Sequence, residues 1–243
     1  LKVNTLVISD PHIPAEHPNA IKFCQDIAKK YNTKRVVFIG DLLDNHCVSS
    51  HPKNCQYQIS PKQEYLIQCK RISAWYRAFP KATVIYGNHD ERIYKLAAVN
   101  GIIKERLVDF SKLYNTPGWD WRPNAVLGGV YYVHGHGSGG GTVSPALSAA
   151  VSRGQSVVMG HYHSIAGVLY SAGPTRLIFG MNVGCLVDHD HPAMEYDKKR
   201  EIKKPIVSIG VVVEDRYGLV IPMDLSKKRG VRSRKKKKKS RTK

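Results

Sequence analysis

Five times along this chain a short apolar run, rich in β-branched residues, ends in a compact polar motif. The motifs are Asp10-Pro11-His12, Gly40-Asp41-Leu42-Leu43-Asp44, Gly87-Asn88-His89-Asp90, Val133-His134-Gly135 and Gly160-His161-Tyr162-His163. Short apolar runs bounded by turn residues read as buried strands. The repeated unit is therefore a strand that delivers carboxylate, amide or imidazole donors where it ends. Such donors suit two hard-to-borderline divalent ions held side by side, a phosphoester-cleaving type of centre. The alternative, in which these His and Asp merely cap loops, has to account for the same placement five times.

The rest of the chain fits an α/β frame. Strands are expected at 3–9, 35–39 and 82–86, with a helix from about Pro18 carrying Ile21, Cys24, Ile27, Ala28 and Tyr31 on one face. Ser60-Pro61-Lys62-Gln63 has the spacing of a capping box. It predicts a helix to about Phe79 with Leu66, Cys69, Ile72 and Tyr76 inward. Helical patterns cover about 90–98 and 102–113, and 114–128 reads as a packed loop because it carries Pro117, Gly118 and Pro123. From Val130 strands dominate, at 130–134, 156–160, 165–170, 175–182, 206–213 and 217–222, with a helix opened by Ser144-Pro145. Units of βαβ followed by β-rich sequence predict two sheets packed face to face with flanking helices. Glycines precede Asp41, Asn88 and His161, where sharp turns and close backbone approach are expected.

Charge divides the chain. Of the formal +19, twelve units fall after Ser226 with no acid among them, leaving +7 for the body. The basic residues of this tail include Lys227, Lys228, Arg229, Arg232, Arg234, Lys235, Lys236, Lys237, Lys238 and Lys239. With Val231 as its one apolar side chain the tail cannot bury enough surface to fold alone. Residues 1–225 are expected to form one domain, and 226–243 a disordered basic tail that contacts polyanions such as nucleic acid. A solubilising or targeting role is the other reading of the tail. No run of eighteen apolar residues marks a membrane span. Leu1–Ser9 reads as a strand running into a motif, not a leader, so a cytoplasmic protein is expected. Five cysteines without CxxC spacing argue against a disulfide frame. Cys24 and Cys185 read as core, and Cys47 and Cys55 share a loop. The oligomeric state is not legible.

DxH, GDxxD, GNHD, HG and GHxH in this order resemble the calcineurin-like metallophosphoesterases, over residues 3 to about 185. The chain is also similar in general character to compact members found in bacterial viruses, which would place it in a host cytoplasm. The resemblance implies a four-layer α/β/β/α sandwich of two mixed sheets flanked by helices. It implies two divalent ions, manganese first, with zinc or iron as alternatives. Asp10, His12 and His163 would hold the first ion; Asn88, His134 and His161 the second; Asp41 would bridge them. A bridging hydroxide would attack the phosphoester. His89 resembles the imidazole that touches the phosphate and protonates the leaving oxygen. Asp90 is expected to orient His89, and Asp44 to support the ligands from behind. His46, His51 and His136 are candidates for substrate contact.

The phosphoprotein branch of the family reads GDxVDRG and GNHE, whereas this chain has Asp44-Asn45-His46 and Asp90. With the basic tail, that departure favours a phosphodiester or nucleic-acid substrate, DNA or RNA. A small-molecule or phosphoprotein phosphomonoesterase is the alternative, and a metal-free, nucleic-acid-binding scaffold is a third class.

Overall fold

The computed structural model describes residues 2–50, 57–137, 142–194 and 204–226. His51, Cys55, the glycine-rich stretch 138–141 and the basic tail from Lys227 lie outside the described residues. In the first sheet, β1 (Thr5–Ile8), β2 (Arg35–Phe38), β3 (Ala82–Ile85) and β4 (Trp119–Arg122) run parallel. Two further strands, β10 (Ser208–Val213) and β11 (Tyr217–Pro222), extend it antiparallel from β1, in the order β11-β10-β1-β2-β3-β4. The second sheet holds β5 (Asn124–Leu127), β6 (Val130–Val133), β7 (Val157–Met159), β8 (Ala166–Ala172) and β9 (Leu177–Val183), in the order β5-β6-β7-β9-β8. Here β6, β7 and β9 are parallel and the edges antiparallel.

Three apolar layers hold the sheets and helices together. Val7, Val37, Ile39 and Ile85 of the first sheet meet Tyr132, Val158, Phe179 and Met181 of the second. The outer face of the first sheet packs Leu6, Ile8 and Phe38 against α1 (Ala20–Lys30) and α2 (Pro61–Ala78), through Cys24, Ile27, Ile72 and Trp75. The second sheet is covered by α5 (Pro145–Arg153), whose Ala146 and Ala150 lie against Val157 and Met159. Helix, sheet, sheet and helix make the expected four-layer sandwich.

The capping box forms as read: Gln63 N donates to Ser60 Oγ at 3.2 Å and Ser60 N donates to Gln63 Oε1 at 2.9 Å. Of the residues expected inward on α2, Ile72, Cys69 and Tyr76 pack on the core and Leu66 does not. Leu66 is 56% exposed, and the buried stripe is Glu64, Gln68, Ile72 and Trp75. Two polar residues belong to that stripe because they serve the loop after β2. Glu64 accepts from His46 N at 2.6 Å and Cys47 N at 3.0 Å, capping a 3₁₀ turn over His46–Val48.

Two other expectations are corrected. The helix expected over 102–113 is broken into a 3₁₀ turn, Lys104–Arg106, and the one-turn α4, Phe110–Leu113. Ile102, Ile103 and Val108 stay exposed, so no apolar stripe spans the segment; Phe110, Leu113 and Tyr114 reach the core. The stretch 114–128 is not a loop but contains β4 and β5. Trp119 and Trp121 alternate with the exposed Asp120 and Arg122, and Pro123 marks where the chain leaves one sheet for the other. Among the described residues no helix is long and apolar enough to cross a membrane.

Candidate metal centre

Every candidate ligand follows the C-terminal end of a parallel strand: β1 (Asp10, His12), β2 (Asp41), β3 (Asn88), β6 (His134) and β7 (His161, His163). That edge is where open α/β sheets expose diverging loops. The backbone there is bent hard. Asp10, His12, Asp41 and His161 have φ of 47°, 50°, 47° and 66°. Side chains other than glycine adopt that region at a cost, and such strain concentrates at functional sites. Glycine clears the space: a Cβ on Gly87 would overlap the Asp41 carboxylate.

The side chains meet as two groups. Asp10, His12 and His163 form one, with His12 Nε2 3.1 Å from His163 Nε2 and His163 Nε2 3.3 Å from Asp10 Oδ1. Asp41, His134 and His161 form the other. Asn88 joins the second group, its Oδ1 3.1 Å from His134 Nε2. Asp41 lies between the groups, with Oδ2 3.2 Å from His134 Nε2 and 3.6 Å from His12 Nε2.

Hydrogen bonds behind the cluster decide which ring atoms carry protons. His12 Nδ1 lies 3.1 Å from Asp44 Oδ1, an acceptor, so Nδ1 bears the hydrogen and Nε2 the lone pair. His134 Nδ1 likewise donates to Ile39 O at 3.0 Å. Each imidazole thus turns Nε2 into the cluster, His12 toward His163 and Asp41, His134 toward Asn88 and Asp41. This is how a structure prepares histidines to bind metal.

Electrostatics agrees. Asp10, Asp41, Asp44 and Asp90 are all buried. Among the described residues, Arg92 is the one Lys or Arg paired with any of them, 3.9 Å from Asp44. Burial lowers the proton affinity of His134, but Asp41 and Asp10 outweigh it and push the imidazole up to about 10, so without a cation a proton sits on Nε2, where a metal ion would bind. Burial and the neighbouring His134 push His161 down to about 4, leaving it a neutral donor. Burial and the charge of Asp41 push Asp90 up to about 7. Acids crowded together without matching cations, facing converging lone pairs, are the pattern of a cation site. The residues present fit two divalent ions.

His89 also lies near the cluster, its Nε2 4.0 Å from Asp41 Oδ2. His12, Asp41 and His89 would count as a third triplet by distance. Its hydrogen bonds argue otherwise. Nδ1 lies 2.9 Å from Asp44 Oδ1, and Nε2 faces Arg92 Nη2 at 3.1 Å. A lone pair shared with a guanidinium is not offered to a second cation.

Asp90 does not orient His89, contrary to expectation. Its carboxylate accepts from Leu43 N at 2.8 Å, Gly87 N at 2.8 Å and Leu42 N at 3.4 Å. It ties the GDxxD loop to the GNHD loop, and Asp44 is the carboxylate on His89. Asp90→Ala would strand buried N–H groups, each costing about 1–3 kcal/mol. The expected result is a drop in melting temperature together with weaker metal retention, read by calorimetry and elemental analysis. A variant with native stability and metal content would contradict it.

The remaining candidates sit at the margin. His46 Nδ1 is 3.9 Å from Asp44 Oδ2, and its ring packs on Tyr57. His136 lies beside His134 with Nε2 3.5 Å from Glu91. Sequence reading missed Arg92 and a buried chain behind it. The Tyr114 hydroxyl donates to Gln68 Oε1 at 2.9 Å, Gln68 Nε2 to Asn45 Oδ1 at 3.0 Å, and Asn45 Nδ2 to His89 O at 2.9 Å. The one available signal was Asn45 standing directly after the second motif and Arg92 two residues after the third.

The fold and site define a metal-binding phosphoesterase scaffold. The family model for calcineurin-like phosphoesterases matches residues 3–185, and the chain belongs to that family. No curated protein matches it. Among solved structures it is similar to Vacuolar Protein Sorting 29 from Cryptosporidium parvum, at 11% identity over 91% of this chain and 97% of that one, with a TM-score of 0.46. A metallophosphoesterase from Sphaerobacter thermophilus shares 15% identity over 92% of this chain and 89% of that one, TM-score 0.44. A nuclease from Pseudomonas putida shares 13% over 90% and 87%, TM-score 0.41.

Proposed function

We propose that this chain is a dinuclear metal-dependent phosphoester hydrolase that acts on phosphodiesters, with nucleic acid as the substrate. The observation that carries the hydrolase reading is the convergence of seven donor side chains beside a histidine held from the far side by a carboxylate. Asp10, His12 and His163 would hold one ion, Asn88, His134 and His161 the other, and Asp41 both. Bound there, two divalent ions activate water for attack and neutralise charge on the phosphoryl oxygens. Manganese is the first to test, because the family resemblance puts it first; carboxylate, amide and imidazole donors accept zinc or iron as well.

The chain's own groups do the rest. Asp44 accepts the Nδ1 hydrogen of His89, so Nε2 is the atom left for substrate once Arg92 turns away from it. Protonated there, His89 gives its proton to the leaving oxygen while Asp44 stabilises the imidazolium. Asp44 also holds His12, which ties acid and ligand to one carboxylate.

The lean toward nucleic acid is supported by the charge after Ser226. Deleting 227–243 is expected to weaken DNA and RNA binding and to raise KM on long substrates. Turnover of a small phosphodiester should hardly change. On duplex DNA the salt slope should fall by about 0.9 for each phosphate that the shortened chain no longer neutralises. Equal salt slopes and equal KM values for the two proteins, with faster hydrolysis of phosphomonoesters than of diesters, would move the phosphomonoesterase ahead.

A further inference from the structure

We propose that Arg92 is the phosphate-binding residue of this centre, its guanidinium taking a non-bridging phosphoryl oxygen of the substrate; the assignment rests on the hydrolase reading above. Arg92 opens α3 (Arg92–Val99), two residues beyond the third motif. Its backbone N donates to His89 O at 3.2 Å, so it moves with that motif.

The side chain is only 15% exposed, yet its hydrogen-bond partners are uncharged. Nη1 donates to the Asp44 carbonyl at 2.7 Å, and Nη2 to His89 Nε2 at 3.1 Å. The nearest carboxylate oxygen, Asp44 Oδ1, is 3.9 Å away and already serves His12 and His89. A largely buried guanidinium without a carboxylate at hydrogen-bond distance is costly on its own, and it draws an anion.

The location fits that anion. Nη2 sits one hydrogen bond from His89 Nε2, which is itself 4.0 Å from Asp41 Oδ2, the oxygen between the two ligand groups. Each of Nη1 and Nη2 has a second hydrogen beyond the one already placed. A planar fork with two parallel donors matches a phosphoryl group. When Nη2 turns from His89 to a phosphoryl oxygen, it leaves Nε2 open to the leaving group. One movement would both bind the substrate and unmask the imidazole.

The test uses the full-length, manganese-loaded protein and two variants, Arg92→Gln and Arg92→Lys. Elemental analysis gives ions per chain, calorimetry gives orthophosphate affinity, and bis(p-nitrophenyl) phosphate gives kcat and KM. Arg92→Gln is expected to keep its ions and to bind orthophosphate weaker by about tenfold or more. Arg92→Lys should recover part of the loss, since it restores the charge without the fork. Orthophosphate affinity within about twofold of wild type, with kcat lowered, would overturn the proposal and leave Arg92 as a positioning residue on His89. Loss of metal by both variants would also overturn it, because Arg92 would then be holding the Asp44 loop. A wild-type protein that binds orthophosphate through Arg92 but hydrolyses no phosphoester would support this assignment while removing the hydrolase reading.

Discussion

Replacing Asp41 with Asn is expected to empty the centre and abolish nearly all activity while leaving the fold intact. Asp41 Oδ1 accepts from His89 N at 2.8 Å, a bond that an Asn carbonyl oxygen keeps. The Asn NH₂ group then falls where Oδ2 was, 3.2 Å from His134 Nε2 and 3.6 Å from His12 Nε2. A donor would point into a ring of lone pairs, and the negative charge shared by the two ligand groups would be gone. Without the carboxylate that both ions would share, activity should fall by about a thousandfold, equivalent to about 4 kcal/mol of barrier. Elemental analysis should find less than the wild-type metal, and circular dichroism an unchanged fold. A variant that holds two ions and turns over at a near-native rate would disprove the assignment of Asp41.

Replacing His89 with Ala should separate chemistry from metal binding. The side chain touches Asp44, Arg92 and the edge of the His12 ring, but its lone pair is committed to Arg92. Both ions should remain, and turnover should drop by about a hundredfold, the usual worth of a lost general acid. The loss should shrink for nitrophenolate leaving groups, which need no proton, and grow for alkoxides. Equal losses across leaving groups would strip His89 of the acid role. Depletion of metal would instead make it a ligand, as its distance to His12 and Asp41 would allow.

Much of the site was legible because its information is local. Each motif places its donors within a few residues of a strand end, and an apolar run followed by glycine and a polar residue is visible in one dimension. The five motifs stood out on that pattern, the family resemblance singled out seven ligands within them, and the structure brings those seven into two adjoining groups around Asp41. The capping box at Ser60 and the succession of strands were readable for the same reason. Legibility failed where a residue's role depends on what lies across the fold. Asp90 sits next to His89 in sequence and so reads as its partner. Its carboxylate instead turns toward the N–H groups of Leu43 and Gly87.

The sequence by itself determined the kinds of donor, their attachment to strand ends and the class of chemistry they allow. The tertiary structure decided which atom of each imidazole bears the proton, which carboxylate stands behind His89, and that Glu64 and Gln68 face inward on α2. Those outcomes rest on pairings such as Asp44 with His89 and Ile39 with His134, 45 and 95 residues apart. Patterns of period two or 3.6 report the environment of a face, not the partner across from it. Hydrogen-bond partners are chosen when buried polar groups from separate loops must satisfy one another, and that choice is made only once the two sheets have packed.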